Sequence, residues 1–246
     1  TSIVVNKAMT ISELAEKIQK TPADIVKFLM FQGIMATVNQ LIDVDVIKKV
    51  CAEYNLEVLD EDNVSNYNFE LTELTKEKIK FVNFNECKFV KMAFLSVELS
   101  NVSFVDTIFE GCDFSNSSFE LCSFIRCQFK NCKLVGANIY DSTLKDVKFN
   151  GILDYIKFAS NKFKNVLFVE CSIAESRFLE NTFLNVYFEQ SNMKNIEFYK
   201  TSLNKVDLTT DIIDGLNASL TDVKGLIISS YQAYILAGLL GVVIER

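Results

Sequence analysis

The sequence predicts a mainly β protein: a square solenoid preceded by a small, mostly helical domain and closed by a C-terminal capping helix. Three observations carry this. Large apolar residues recur at every fifth position over most of the 246 residues. The first sixty or so lack that register and carry helix punctuation instead. The last segment returns to helical spacing and is strongly apolar.

Taken in chain order, residues 1–62 form the small domain. "TISELAEKIQ" predicts a helix starting near Ser12. "TPADIVKFLMFQG" predicts a second, with Thr21 as N-cap, Pro22 at the first helical position and Gly33 as stop. "DVDVIKKVCAEYNL" reads as a third helix and "EVLD" as a strand.

The five-residue register begins at Phe69. Seventeen consecutive fifth positions, from Phe69 to Phe149, are large and apolar. The register slips by one within "NGILDYIKF" and resumes at Phe158. Eighteen of the 21 phenylalanines lie on these two runs, the exceptions being Phe28, Phe31 and Phe81. A fixed period of this kind is the mark of a solenoid. In a flat strand every fifth residue would alternate sides. If each points inward, the chain turns a corner every repeat, and four faces close a coil of about 20 residues, with coils about 4.8 Å apart.

The residue two places before each centre also points inward, by the strand period of two. Beside a stacked Phe it has little room, and it holds mostly Val, Ser, Thr, Ala and Cys. Six of the seven cysteines (Cys87, Cys112, Cys122, Cys127, Cys132 and Cys171) occupy this position; Cys51 lies elsewhere. Their spacing of five and ten follows the coil and not a metal loop, so they read as reduced, small core residues. The predicted core accordingly includes Phe104, Phe109, Phe114, Phe119, Phe124 and Phe129 with Cys112, Cys122, Cys127 and Cys132. Glu77 falls at an inward position and predicts an irregular first coil. Counting centres over residues 66–212 gives about seven coils, a rod on the order of 34 Å long.

Residues 213–246 complete the chain as cap and dimerisation segment. In "ISSYQAYILAGLLGVVIER", Ser229 and Gln232 have capping-box spacing. Tyr231, Ile235, Leu236, Leu239 and Leu240 share one broad helical face, Gly241 is the stop, and "VVIE" follows as a short strand. This is more apolar surface than one coil end needs. Ile235, Leu236, Leu239, Leu240, Val242, Val243 and Ile244 are therefore the expected dimer interface.

Composition excludes much chemistry. There is no histidine, hence no Ser-His-Asp triad, Cys-His dyad or imidazole ligand. No catalytic, cofactor-binding or metal-binding residue is expected. Net charge is −7, which argues against direct nucleic-acid binding. Residues 1–62 hold six lysines and ten acids, and the remainder 19 basic and 22 acidic residues, with no basic patch along the sequence; "TKEKIK" is the densest charged stretch. No apolar run approaches the roughly 20 residues of a membrane span, and no leader opens the sequence at Thr1, so a cytoplasmic protein is expected.

Two resemblances sharpen these expectations. "CDFSNSSFELCSFIRCQFKNCKLVGANI" resembles the pentapeptide-repeat proteins, whose pattern is A(D/N)LXX with a central Leu or Phe; "KLVGANIYDS" comes closest to it. The resemblance covers about residues 66–212 and implies a right-handed quadrilateral β-helix. "DVKGLIISSYQAYILAGLLGVVIE" looks like the C-terminal tail of the quinolone-resistance members of that family, which dimerise tail to tail. It implies a DNA-mimicking rod that binds DNA gyrase or another type II topoisomerase and protects it from quinolones. A plain scaffold solenoid is the alternative. The N-terminal stretch, through "ELAEK", "FQGIMATVNQ" and "EYNLEV", resembles the N-terminal domain of bacterial translation initiation factor two over about residues 4–59. With no GxxxxGK[ST] loop in the chain, this resemblance implies a ribosome-associated interaction module and not nucleotide chemistry.

Overall fold

The computed structural model describes residues 2–5, 8–60, 62–70 and 72–243. The chain divides into two compact units, Thr1–Asp62 and Asn63–Arg246.

In the first unit, strand β1 (Ser2–Val5) pairs in parallel with β4 (Glu57–Asp60), and β2 (Met9–Thr10) pairs antiparallel with β3 (Leu41–Ile42). Between them lie α1 (Ile11–Ile18), α2 (Pro22–Phe31) and α3 (Val44–Glu53). Helix α1 is capped by Thr10, slightly before the expected start near Ser12. The Thr10 hydroxyl accepts from the Glu13 N–H at 3.2 Å, and the Glu13 carboxylate accepts from the Thr10 N–H at 2.7 Å. This reciprocal box satisfies two of the donors that a helix start leaves open. Thr21 and Asp43 cap the other two helices through their side-chain oxygens. Ile11, Leu14, Ile25, Leu29, Ile47 and Val50 fill the small core, together with Cys51.

The second unit is a β-solenoid of about eight turns. Short strands such as Ser103–Val105, Ile108–Glu110 and Ser118–Glu120 lie on successive faces. Each pairs in parallel with the strand one coil on. Along one face the centres Phe84, Phe104, Phe124, Leu144, Phe163 and Phe183 stand in register. A second face stacks Phe69, Phe89, Phe109, Phe129, Phe149, Phe168 and Phe188. Another runs from Ile79 through Leu99, Phe119, Ile139, Phe158, Phe178 and Phe198 to Ala218. The remaining face starts with the parallel pair Glu73–Thr75 and Ala93–Leu95 and continues, mostly by single bridges, through Asp113, Lys133, Ile152, Ser172, Asn192 and Ile212. Pairing extends to Ile227, which is why the turns number about eight and not the seven counted from centres.

The corner explains the period. The residue two places after most centres takes a left-handed conformation, with φ of 50–54° at Lys91, Asn101, Asp106, Leu121, Arg126 and Asn131. A non-glycine residue there costs about 1 kcal/mol or more. The cost is offset because the corner N–H reaches the next coil: Lys91 donates to the Glu110 carbonyl at 2.8 Å and Arg126 to that of Lys145 at 2.9 Å.

The register slip is a coil one residue short. Phe129 pairs with Phe149, but Cys132 pairs with Gly151 and Thr143 with Lys162. Leu153, fully buried, becomes the centre four places after Phe149. Gly151 has φ +140°, and a Cβ there would lie 2.0 Å from the Cys132 carbonyl oxygen, so only glycine fits the shortened turn.

Phe rings stack along the rod, with centroids 5.1 Å apart for Phe89–Phe109, 4.6 Å for Phe109–Phe129 and 4.9 Å for Phe149–Phe168. Toward the N-terminal rim Phe69, Leu74 and Ile79 are only partly buried. Glu77 is exposed, not inward as the register predicts; a carboxylate at the rim of the stack stays in water at little cost. Replacing Phe124 by Ala, mid-rod, should therefore cost about 3–5 kcal/mol, because stacked neighbours on both sides cannot close the void. Phe69→Ala should cost distinctly less. Denaturant unfolding of the two variants checks this; equal losses would contradict it.

Candidate interaction surfaces

The inward column of small residues has a chemical regularity beyond size. Each thiol donates to the carbonyl of a core centre one coil earlier: Cys112 to Phe89 at 3.3 Å, Cys127 to Phe104 at 3.3 Å, Cys132 to Phe109 at 3.4 Å and Cys171 to Phe149 at 3.3 Å. The hydroxyls of Ser117, Ser176 and Thr201 do the same toward Phe94, Leu153 and Phe178. Where the position holds Cys, Ser or Thr, the small side chain also donates; Val97, Val102, Ala137 and Val147 fill it by size alone. Asn161 and Asn181 meet the same need with a larger group. Their side-chain amides donate to the Ile139 and Phe158 carbonyls, and their oxygens accept from the N–H groups of Ser142 and Asn161. These two were not singled out in the sequence, because the rule of small size passes over Asn.

All seven cysteines are free and buried. Burial pushes Cys122 up to about 11 and Cys127 and Cys171 up to about 12. The hydrogen bond with Cys112, and then burial, also hold Cys132 protonated. Desolvation raises Cys51 as well. Such thiols supply no thiolate at neutral pH. Among the described residues no group of three or more His, Cys, Asp or Glu side chains is placed to hold a metal ion. No helix among them is long and apolar enough to cross a membrane.

The ten expected core residues, Phe104, Phe109, Phe114, Phe119, Phe124, Phe129, Cys112, Cys122, Cys127 and Cys132, are all buried. The expected interface residues divide. Helix α4 (Ala233–Leu239) follows a short turn, Ser230–Gln232. Ile235 and Leu239 lie half-buried against the solenoid core, and Leu236 is half-buried too. Leu240, Val242 and Val243 are exposed, at 65%, 53% and 87%. Ile244 and Glu245, the second half of the expected "VVIE" strand, lie outside the described residues, while Val242 and Val243 follow the helix without forming a strand. Tyr231, expected on the apolar face, is 88% exposed.

Gln232 does more than cap. Its oxygen accepts from the Ser229 N–H at 2.8 Å, while its amide nitrogen donates to the carbonyls of Leu208 and Asp211, both at 2.8 Å. One buried side chain thus ties the helix start to open ladder groups of the last coil. Gly241, with φ +75°, ends the helix: its N–H donates to Gly238 and that of Val242 to Ala237, the Schellman arrangement.

The described unit is thus a fluted rod of five-residue faces, with chemistry confined to its surfaces and ends. Residues 79–116 match pentapeptide repeats and residues 102–178 the pentapeptide repeat region, while residues 6–57 match the N-terminal region of translation initiation factor IF-2. The solenoid carries the matches to pentapeptide repeats, and the N-terminal unit the match to the IF-2 N-terminal region. IF-2 of Halalkalibacterium halodurans is 43% identical over 68 residues, 26% of this chain and 9% of that protein. IF-2 of Oceanobacillus iheyensis is 48% identical over 56 residues, 23% of this chain and 8% of that protein. The chain thus spans less than a tenth of these relatives. Among solved structures, HetL, a pentapeptide repeat protein involved in heterocyst differentiation regulation from Nostoc sp. strain PCC 7120, aligns at 12% identity over 69% of this chain and 90% of its own, with a TM-score of 0.32. A trypsin-treated form of QnrB1, a plasmid-mediated fluoroquinolone resistance protein, aligns at 16% identity over 74% and 100%, with a TM-score of 0.30.

One buried acid near the sealed end has a measurable consequence. Asp211 accepts from the Ser191 N–H at 2.7 Å, but its second oxygen has no partner. Desolvation first, then the nearby Asp207 and Glu189, push it up to about 6. An acid raised in the folded state favours folding below its unfolded value, and that contribution disappears as pH rises through its folded value. Asp211→Asn, which keeps the Ser191 acceptor, should therefore stabilise the protein at pH 7 by about 1–3 kcal/mol. The gain should vanish below about pH 4. Thermal unfolding of both proteins at the two pH values checks it; a gain independent of pH would contradict it.

Proposed function

We infer that this chain is a non-enzymatic binding protein whose solenoid, doubled end to end, occupies the duplex-DNA groove of a type II topoisomerase such as DNA gyrase and protects it from quinolones. The observation that carries this reading is the C-terminal end. Gln232, Ile235 and Leu239 already close the last coil, yet Leu240, Val242 and Val243 stay in water. A two-fold partner buries such a surplus most simply and doubles the rod. The tail's resemblance to the quinolone-resistance proteins points the same way. The mimicry would be one of shape, because acids and bases alternate along the rod, as in the pairs Lys78–Glu98 and Arg177–Glu197.

A second reading rests on the N-terminal unit. Met30, Phe31, Met35 and Leu41 are 59%, 78%, 83% and 64% exposed, and residues 28–42 contain no charged side chain. An apolar surface of this kind on an IF-2-like module fits a docking role, for instance on a ribosome.

A gyrase supercoiling assay with a fluoroquinolone tests the first reading. The unmodified protein should be a dimer by light scattering and should restore supercoiling. Leu240→Asp with Val243→Asp should give a monomer that keeps its β-rich circular dichroism and protects at least tenfold less. Leu239 is avoided because it packs on its own solenoid. A monomeric mass for the unmodified protein, or no restoration, would overturn the reading.

A further inference from the structure

Successive coils of the solenoid are joined by pairs of opposite charge. Lys88 meets Glu110 at 2.8 Å, Arg126 meets Asp106 at 2.6 Å, and Lys200 meets Glu180 at 3.1 Å. The pattern reverses at the short coil. Its 19-residue step sets Lys145 in register with Lys164, where a step of twenty would set it beside Asn165. Lys162 flanks Phe163 on the same outward side. Just around the corner, Lys148 pairs in register with Gln128 and Leu167. It shares with Lys130 a groove of about 440 Å³ whose lining includes Gln128, Asn131, Asn150 and Glu170.

Three acids lie among or beside these five lysines. Glu110 stands in register with Lys130 and is paired with Lys88. Asp146, at the corner, accepts from the Asn165 amide at 2.8 Å, and Glu170 sits at the edge of the groove. The local balance is therefore two positive charges, on a chain whose net charge is −7. Like charges facing each other across a ladder are destabilising. Such an arrangement gains when an anion lies across it.

We propose that this corner binds the phosphate backbone of a nucleic-acid strand. Lysines on adjacent coils, about 4.8 Å apart vertically, present flexible point charges along the rod, a form suited to phosphates and not to planar bidentate pairing. The side-chain amides of Gln128 and Asn131 add donors beside them. Tyr187 pairs in register with Leu167, continues the same column and is 52% exposed. Its ring stands two coils from Lys148, beyond Leu167, on a groove it shares with Glu189 and Asp207. It offers a base a stacking face, a feature for which an acidic peptide has no use. The net charge of the whole chain argues against nucleic acid; the patch arises only where coiling brings distant lysines together. The proposal is independent of the topoisomerase reading.

Fluorescence anisotropy with a labelled single strand of about 12 nucleotides, as DNA and as RNA, tests it at salt between about 50 and 200 mM. At the lower salt the unmodified chain should bind one or both strands, with affinity falling steeply as salt rises. The triple variant Lys145→Gln, Lys148→Gln, Lys164→Gln should bind at least tenfold more weakly, and its log–log salt slope should drop by about 2. A control, Lys78→Gln with Lys200→Gln, removes two paired lysines and should bind as the unmodified chain does. Lys148 and Lys164 are exposed and Lys145 is half-buried on the outward side of its strand, so the triple variant should leave circular dichroism unchanged. The proposal is overturned by no binding at low salt, by a triple variant that binds equally well, or by polyglutamate displacing the strand at equal charge.

Discussion

The solenoid depends on the left-handed residue that turns each corner. Asn and Asp enter that conformation most readily, yet Lys91, Leu121, Arg126 and Tyr155 occupy it here. They do so because the N–H of the corner finds a carbonyl on the neighbouring coil. A single coil would carry these strained corners with nothing to offset them. Stability is therefore collective, a sum over interfaces between coils. The other regularities follow from the same geometry: rings stack on rings, thiols and hydroxyls reach back to carbonyls, and charges meet charges one coil away.

This dependence also explains what could be read from the sequence. The five-residue period was legible because the corner forces one large residue inward per face, and Phe fills that place conspicuously. The cysteines were legible as small core residues, though not as hydrogen-bond donors, because donation depends on where the previous carbonyl sits. The slip near Gly151 was visible, but its result, Lys145 beside Lys164, depends on three-dimensional register. No scan along the chain shows a basic patch whose members lie on different coils. Gln232 was legible as a cap partner of Ser229, whereas its bonds to Leu208 and Asp211 required knowing which carbonyls the last coil leaves open. In the N-terminal unit the helices announced themselves through Thr, Pro and Asp caps. The pairing of β1 with β4 joins segments more than fifty residues apart and has no local signal.

The two ends of the rod differ in a way that bears on function. At the N-terminal rim the core centres are partly exposed and the coil is loosely filled. At the C-terminal end a buried amide and two half-buried aliphatic residues close the stack, and further apolar residues project beyond it. Interaction chemistry in such a molecule belongs to edges and corners, because every inward position is committed to packing. The solenoid thiols illustrate this: buried and hydrogen-bonded to carbonyls of the stack, they are structural.

Hydrogen exchange followed by mass spectrometry measures the collective stack most directly, since amides paired between coils open only when the stack does. Backbone amides from residue 84 to 216 should exchange at one slow, common rate, with protection falling off across residues 64–80. Fast exchange in the mid-rod coils around Phe109 to Phe168, while the N-terminal helices stay protected, would contradict a rod held together by coil-on-coil pairing.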